Sequence, residues 1–305
     1  MIKKIFRKSI YFLFFTKNYF IKFLMLLLLF IGITIHQNNS VTVTRYKVSN
    51  EKIPKSFNNF KIVQLSDIQN DYQGEKIIYL YKKIKKEKPD IIVITGDLVD
   101  LKKYNKENTL ELLDYINDVA PIYFVYGNHE IAANIQNNHD SLIDEMKDLG
   151  VRILDIESDT ISIDGEHINI IGIQDPSAAR GIERLSEISN GEEIIRVMID
   201  EVLNKVTDKE KFTLLLSHRP EYFEAYISPY IDLVLSGHAH GGQIRLPFIG
   251  GLYSPNQGYF PKYTSGVHKI DNTKMIISRG LGNSYRFSLR IFNTPEIVSI
   301  TLKSK

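Results

Sequence analysis

Two regimes of hydrophobic patterning divide the chain. Residues 19–35, YFIKFLMLLLLFIGITI, are apolar except for Lys22, and their unbroken part starts at Phe23. From about residue 58, short apolar runs alternate with segments of helical spacing. KIVQLSD (61–67), DIIVITGD (90–97) and PIYFVYGNHE (121–130) read as buried strands, each closing on polar residues. Between them, EKIIYLYKKIKKEKPD (75–90) and ENTLELLDYINDV (107–119) repeat apolar positions as amphipathic helices do. Strand, helix, strand, helix, strand predicts parallel βαβ units with right-handed crossovers. Shorter strands follow at VRILD (151–155), TISID (160–164) and HINIIGI (167–173), with Asp164-Gly165 as a hairpin turn. A helix is expected over 192–205. KFTLLLSHRPE (211–221) and IDLVLSGHAH (231–240) return to apolar strand followed by histidine, and KMIISRG (274–280) and EIVSITL (296–302) close the chain as strands. With no repeat, low-complexity tract or linker beyond residue 58, one α/β domain over 58–305 is the economical reading.

The apolar run of 19–35 lies at the short end of the roughly 17 to 25 residues that span a bilayer. Lys22, near its start, can snorkel to the headgroups. The following HQNNSVTV offers no small-x-small cleavage site, so an uncleaved anchor is expected rather than a signal peptide. Charge adds an orientation. Residues 1–50 carry eight Lys and Arg and no acid before Glu51, so the formal net charge of +2 leaves −6 on the remainder. Basic residues ahead of the span stay cytoplasmic. The expected organisation is a cytoplasmic basic segment and membrane anchor over 1–35, a tether with a short entry strand (VTVTRYKV) over 36–57, and an extracytoplasmic domain on a single-pass cell-membrane protein. An acidic globular part is a poor general binder of nucleic acid, and no nucleic-acid partner is expected.

The chain has no cysteine, which excludes disulfides and thiolate metal sites. Any metal must be held by His, Asp, Asn or similar ligands. Five apolar runs end in such residues: Asp67 with Gln69, Asp97 with Asp100, Asn128 with His129, His218, and His238 with His240. One histidine after a strand is usually an ordinary loop residue, and Asp or Asn there is a common turn former. All five, however, fall where a parallel sheet gathers its ligands, at the carboxyl ends of the strands. Carboxylates, imidazoles and an amide together suit divalent Zn, Mn or Fe. Gly96, Gly127 and Gly237 each immediately precede one of these residues, and Gly241 and Gly242 follow His240, where a sharp turn or close approach is needed.

The series D-x-Q at Asp67, G-D-x-x-D from Gly96, G-N-H-E from Gly127, an isolated His218 and G-H-x-H from Gly237 resembles the calcineurin-like metallophosphoesterase superfamily across residues 60–245. GGQIRLP, GLYSPNQGYFPKYTSG and ISRGLGNS resemble its membrane-associated bacterial phosphodiesterase branch. The resemblance implies an α/β metallophosphoesterase β-sandwich of two mixed sheets flanked by helices, following an N-terminal transmembrane helix, with two metal ions at the strand ends. Asp97 would bridge the ions. Asp67 and His240 would complete the first site, and Asn128, His218 and His238 the second. The family usually has His where this chain has Gln69, which puts the strength of the first site in question.

Two dications can clamp a phosphoryl oxygen and generate a bridging hydroxide that attacks phosphorus in line. His129 is then the candidate proton donor to the leaving oxygen, with Asp100 holding its far ring nitrogen; the alternative for Asp100 is a helix cap. Gln243 is a candidate substrate contact or an organiser of the Gly-Gly loop, and Arg219 a substrate contact or a surface residue. Aromatic residues at 253–263 read as an apolar wall or a core strip. The expected function is a membrane-anchored, dinuclear-metal phosphohydrolase, a phosphodiesterase or pyrophosphatase, acting on envelope or lipid-linked phosphate. The competing reading, supported by Gln69 alone, is a catalytically silent metal-binding module that recognises a phosphorylated envelope ligand.

Overall fold

The computed structural model describes residues 2–137, 140–283 and 289–305. The side chains of 2–18, 134–137 and 140, and Ser284 at the end of ISRGLGNS, lie outside that description. Helix α1 (Ile2–Asn38) leads within three residues into strand β1 (Thr42–Asn50). Strands β2 (Lys61–Leu65), β3 (Ile91–Thr95), β4 (Ile122–Val125) and β5 (Arg152–Ile153) follow, with α2 (Glu75–Glu87), α3 (Lys106–Asn117), α4 (Asn128–Asn137) and α5 (Asp140–Asp148) between them. The second half contains β6 (Glu157–Ile163), β7 (Glu166–Gly172), α6 (Gly191–Lys205), β8 (Thr213–Leu216) and β9 (Leu233–Ser236). Two short ribbons come next, β10 (Arg245–Leu246) with β11 (Gly250–Gly251) and β12 (Tyr253–Ser254) with β13 (Gly258–Tyr259). Strands β14 (Gly266–Ile270), β15 (Thr273–Ile277) and β16 (Glu296–Ser304) end the chain.

These strands form two six-stranded mixed sheets, ordered β1-β16-β2-β3-β4-β5 and β14-β15-β9-β8-β7-β6. Side chains alternate across each strand. In β3, Ile91 and Val93 face the interior between the sheets, joined there by Ile62, Leu214, Leu235 and Val298. Ile92 and Ile94 face outward onto Ile77, Leu80 and Ile84 of α2 and Leu112 and Ile116 of α3. On the other side, Leu215 and Val234 pack against Ile195, Met198 and Val202 of α6. Both faces of both central sheets are thus covered, which is why their strands read as unbroken apolar runs. The expected hairpin is present, with Asp164 and Gly165 at φ of 50° and 80° joining β6 to β7.

The entry strand expected at VTVTRYKV is β1, the edge of the first sheet. β1 pairs in parallel with β16 over nine residues, from Thr42 beside Glu296 to Asn50 beside Ser304. Its alternation is that of an edge strand, and its partner lies some 250 residues away, beyond the reach of local pattern. Residues 19–38 of α1 are long and apolar enough to cross a membrane, with mean hydropathy 2.1. The C-terminal turns of α1 are fastened to the domain: Asn38 Nδ2 donates to the Arg290 carbonyl (2.8 Å), the Arg290 amide donates to Asn38 Oδ1 (2.9 Å), and the Phe292 amide donates to Gln37 Oε1 (3.0 Å).

Candidate active site

Asp67 and Gln69 follow β2, Asp97 and Asp100 follow β3, Asn128 and His129 open α4, His218 follows β8, and His238 and His240 follow β9. Asn128 and His129 are partly exposed and the rest are buried. The turns that carry them are unusually tight. Asp67, Gln69, Asp97, His238 and His240 all have φ between 45° and 62°. Side chains other than glycine rarely adopt this region, and each such residue costs on the order of 1 to 3 kcal/mol. Backbone bonds across the turns hold them there: Asp67 N–H to Gly96 O, Gln69 N–H to Asp97 O, and Gly237 N–H to His218 O, each 3.0 Å. The third joins turns of the second sheet, and the His238 amide crosses between sheets to both Asp67 carboxylate oxygens at 3.0 Å.

Gly127 lets its turn pass directly against Asp97. A β-carbon on Gly127 would fall 2.3 Å from Asp97 Oδ1 and 2.5 Å from the Asp97 amide nitrogen. Gly127→Ala is therefore expected to displace Asp97 and lower turnover by about 10²-fold, the usual cost of ~1 Å misplacement. Turnover at saturating metal, compared with the far-ultraviolet dichroism of the same protein, measures this.

The donor atoms form two groups that share Asp97. Those of Asp97, His218 and His238 lie within 4.8 Å of one another, as do those of Asp67, Asp97 and His240. In the first group, His218 Nε2 is 3.3 Å from Asp97 Oδ2, 3.1 Å from His238 Nδ1 and 3.2 Å from Asn128 Oδ1. The ring is oriented by Nδ1, which donates to the Thr95 carbonyl at 2.8 Å and leaves Nε2 facing the group. In the second group, His240 Nε2 is 3.5 Å from Asp67 Oδ1 and 3.1 Å from Gln69 Nε2.

Burial opposes charge on Asp97, but His218 and then His129 outweigh it and hold the carboxylate well below its usual range. Burial likewise opposes a proton on His218, yet the adjacent Asp97 pushes that imidazole up to about 10. His238 and His240 move the other way. Burial lowers both, reinforced by the charge of His218 at His238. Neutral imidazole is the form that binds metal.

Two observations show that this set suits cations. Gln69 Oε1 is buried without a hydrogen-bond partner. Imidazole nitrogens and carboxylate oxygens also converge at 3.1 to 3.5 Å in a buried space, an arrangement that needs compensating charge. A half-turn of the Gln69 amide exchanges its Oε1 with the nitrogen beside His240. The chemistry therefore fits one divalent ion held by Asp67, Asp97 and His240, with Gln69 beside it, and another held by Asp97, Asn128, His218 and His238.

His129 stands at the open side. Its amide donates to Asp97 Oδ1 (2.9 Å), and its Nε2 is 4.0 Å from Asp97 Oδ2. Its Nδ1 accepts from the Leu101 amide at 3.1 Å, which places the ring proton on Nε2. The cap of α3 is Asn105, and Asp100 does not cap a helix but holds a turn: its Oδ1 accepts from the amides of Lys102 (2.7 Å) and Lys103 (2.9 Å). Its Oδ2 is nonetheless buried without a hydrogen bond and lies 3.7 Å from His129 Nδ1. Protonating Nδ1 would give that oxygen the partner it lacks.

Two other positions were candidates for substrate contact, each with a second reading. Gln243 Nε2 donates to the Leu289 carbonyl at 3.0 Å and so ties the Gly-Gly loop to the segment before β16. Arg219 is not a surface residue: it is buried and paired through Nε and Nη2 with Asp175.

Sequence reasoning passed over three acids. Glu130 accepts from the amides of Gly127 (2.7 Å), Asp97 (2.9 Å) and Val99 (3.0 Å), splinting two ligand turns together. Burial, with Asp97 nearby, pushes it up to about 7. Glu221 places Oε1 3.9 Å from His238 Nε2, the ring atom turned away from the ligand group, and Asp175 holds Arg219 beside it. The available signals were the H-E pair in G-N-H-E and Glu221 three residues after His218, whereas Asp175 reaches the site from a distant element.

Residues 60–242 match the model of the family described as calcineurin-like phosphoesterase. The metallophosphoesterase YkuE of Bacillus subtilis is 30% identical over 269 residues, covering 87% of this chain and 86% of that one. The Escherichia coli phosphodiesterase YaeI is 26% identical, covering 71% of each chain. A Bos taurus transmembrane protein with metallophosphoesterase domain is 27% identical, covering 86% of this chain and 57% of that one. The matched region ends at Gly242, just past the last of the converging ligands, and the chain is a member of the calcineurin-like phosphoesterase family in its YkuE-like branch, a metal-dependent phosphoric ester hydrolase.

Proposed function

We propose that this protein is a membrane-anchored phosphodiesterase or pyrophosphatase whose domain lies outside the cytoplasmic membrane and acts on envelope or lipid-linked phosphate. The observation that carries the catalytic part is the pair of buried donor groups sharing Asp97. When bound, the ion pair supplies the positive charge that holds phosphoryl oxygens and acidifies an attacking water. The chain's own residues do the rest. Asp97 and the ligand turns fix the reacting geometry, His129 Nε2–H points toward the same space, and Glu130 keeps the Asp97 and Gly127 turns in register. No protein nucleophile is needed.

The apolar α1 and the likeness to YkuE and YaeI support an anchored phosphodiesterase, and the basic residues ahead of the span support the orientation. Protease added to intact protoplasts is expected to digest the domain. Protection of residues 58–305 would overturn the orientation.

Gln69 supplies the test of activity itself. An amide oxygen is a weaker ligand for Zn than imidazole but acceptable to Mn or Mg. Hydrolysis of bis-p-nitrophenyl phosphate is therefore expected to rise steeply with added manganese, and Gln69→His to reduce that requirement while preserving turnover. Wild-type inactivity at saturating Mn, Zn, Fe and Co would favour the silent binding module instead. Identical titrations of both proteins would remove Gln69 from the metal site.

A further inference from the structure

Outside α1, six of the seven most exposed large apolar side chains among the described residues are gathered in one region, the other being Val267 (50%) on β14. Phe248 (109% exposed) and Ile249 (64%) form the tip between β10 and β11. Tyr259 (74%) and Phe260 (63%) end the next ribbon, and Leu289 (51%) and Phe292 (47%) lie on the segment beside it. Backbone bonds join these pieces: the Arg245 amide donates to Ile291 O (2.9 Å), and the Phe260 amide to Leu252 O (2.9 Å). A monomeric domain in water has no use for a continuous apolar rim of this kind.

The rim is continuous with α1. The Phe292 ring packs edge-on against Phe30 at 6.1 Å, and the Phe292 amide is bonded to Gln37. Phe30 lies eight residues before Asn38, about 12 Å back along the axis at ~1.5 Å per residue. It belongs to the apolar stretch Tyr19–Asn38. Whatever depth Phe30 occupies, Phe292 shares it.

We propose that residues 245–260 and 289–292 are a bilayer-docking surface, with Phe248 and Ile249 entering the boundary between headgroups and acyl chains. The occupant is lipid, and the inference rests on α1 spanning a membrane. Tyrosine is favoured at that boundary because one end of its ring is apolar and the other wet. Docking has a consequence for the catalytic site. Asn293 Nδ2 donates to the carbonyls of His240 (2.7 Å) and Gln243 (3.1 Å), so the rim and a metal ligand share one scaffold. The surface holds the site beside the phosphate layer, and the substrate class is a phosphate ester carried on lipid.

The chain contains no tryptophan, so one introduced indole reports alone. The full-length protein is reconstituted in phosphatidylcholine vesicles containing acyl-brominated lipid as quencher. Single variants carry the probe at the rim tip (Phe248→Trp), within α1 (Leu28→Trp), and before β8 at the opposite edge from His218 (Glu210→Trp). Quenching with blue-shifted emission is expected for Leu28→Trp and Phe248→Trp, with neither effect for Glu210→Trp. Quenching at Leu28 with Phe248 as unquenched as Glu210 overturns docking and leaves the anchor standing. Absence of quenching at both overturns the two together. The double variant Phe248→Asp, Ile249→Asp is expected to hydrolyse soluble bis-p-nitrophenyl phosphate at the wild-type rate. It should lose about tenfold or more on a p-nitrophenyl phosphodiester of diacylglycerol in vesicles, because interfacial binding scales with the apolar area inserted. Unchanged activity on the vesicle probe overturns the assignment, and the quenching result stands whether or not the soluble diester is a substrate.

Discussion

Asp97→Ala is expected to abolish hydrolysis and to deplete both ion positions at once. Asp97 is the one residue common to the two donor groups, and its carboxylate also receives the His129 amide. Removing it leaves three imidazoles and Asp67 without the central charge that organises them. His238→Ala takes a ligand from one group only and should leave the other ion bound. Metal analysis of the purified proteins, with bis-p-nitrophenyl phosphate turnover at saturating manganese, distinguishes the two. Two retained ions in the Asp97 variant would show that the groups do not share a bridge. The same carboxylate keeps a proton on His218 up to about 10. Ions must compete with that proton, so apparent metal affinity in the wild type should fall as pH is lowered.

His129→Ala is expected to keep its metals and lose turnover by roughly 10²- to 10⁴-fold, the range of a general acid. Nδ1 accepts from Leu101 while the proton sits on Nε2, and a neutral imidazole is a hydrogen-bond donor rather than an acid. Acid catalysis therefore requires the second proton to settle on Nδ1, toward the unpartnered Asp100 Oδ2 3.7 Å away. This makes a sharp comparison of leaving groups. Alkyl leaving groups, which need the proton, should suffer the full loss, and p-nitrophenolate much less. Equal losses would assign His129 to charge stabilisation through Nε2–H alone.

The catalytic edge was legible because parallel sheets bring strand ends together and because each buried strand is an unbroken apolar run with a sharp polar stop. Asp97, His218, His238 and His240 all follow that rule, and they converge in the structure. Positions that depend on long-range partners were not legible. β1 needed β16 to define it, and the alternation of VTVTRYKV alone could not separate a tether's entry strand from a sheet edge. Arg219 looked like a surface residue because its partner Asp175 lies 44 positions earlier in the chain. The helix cap weighed for Asp100 falls instead to Asn105, whose side chain accepts from the Asn108 amide at the start of α3, while Asp100 holds a turn and keeps one oxygen free for the dyad. The left-handed turns at Asp67, Asp97 and His238 are equally invisible to composition, since their strain is held by bonds between separate loops.

Only residues 39–41 separate the end of α1 from β1, and β1 is locked into the sheet along its whole length. An enzyme on a long leash would sample a hemisphere of solvent; with α1 spanning a membrane as proposed, this one would have almost no reach. For a lipid-borne phosphate, the search of such an anchored enzyme would become planar, with encounters governed by lateral diffusion within the leaflet. The relevant concentration is then moles of substrate per unit area. Diluting the surrounding volume leaves it unchanged, whereas adding inert lipid lowers it.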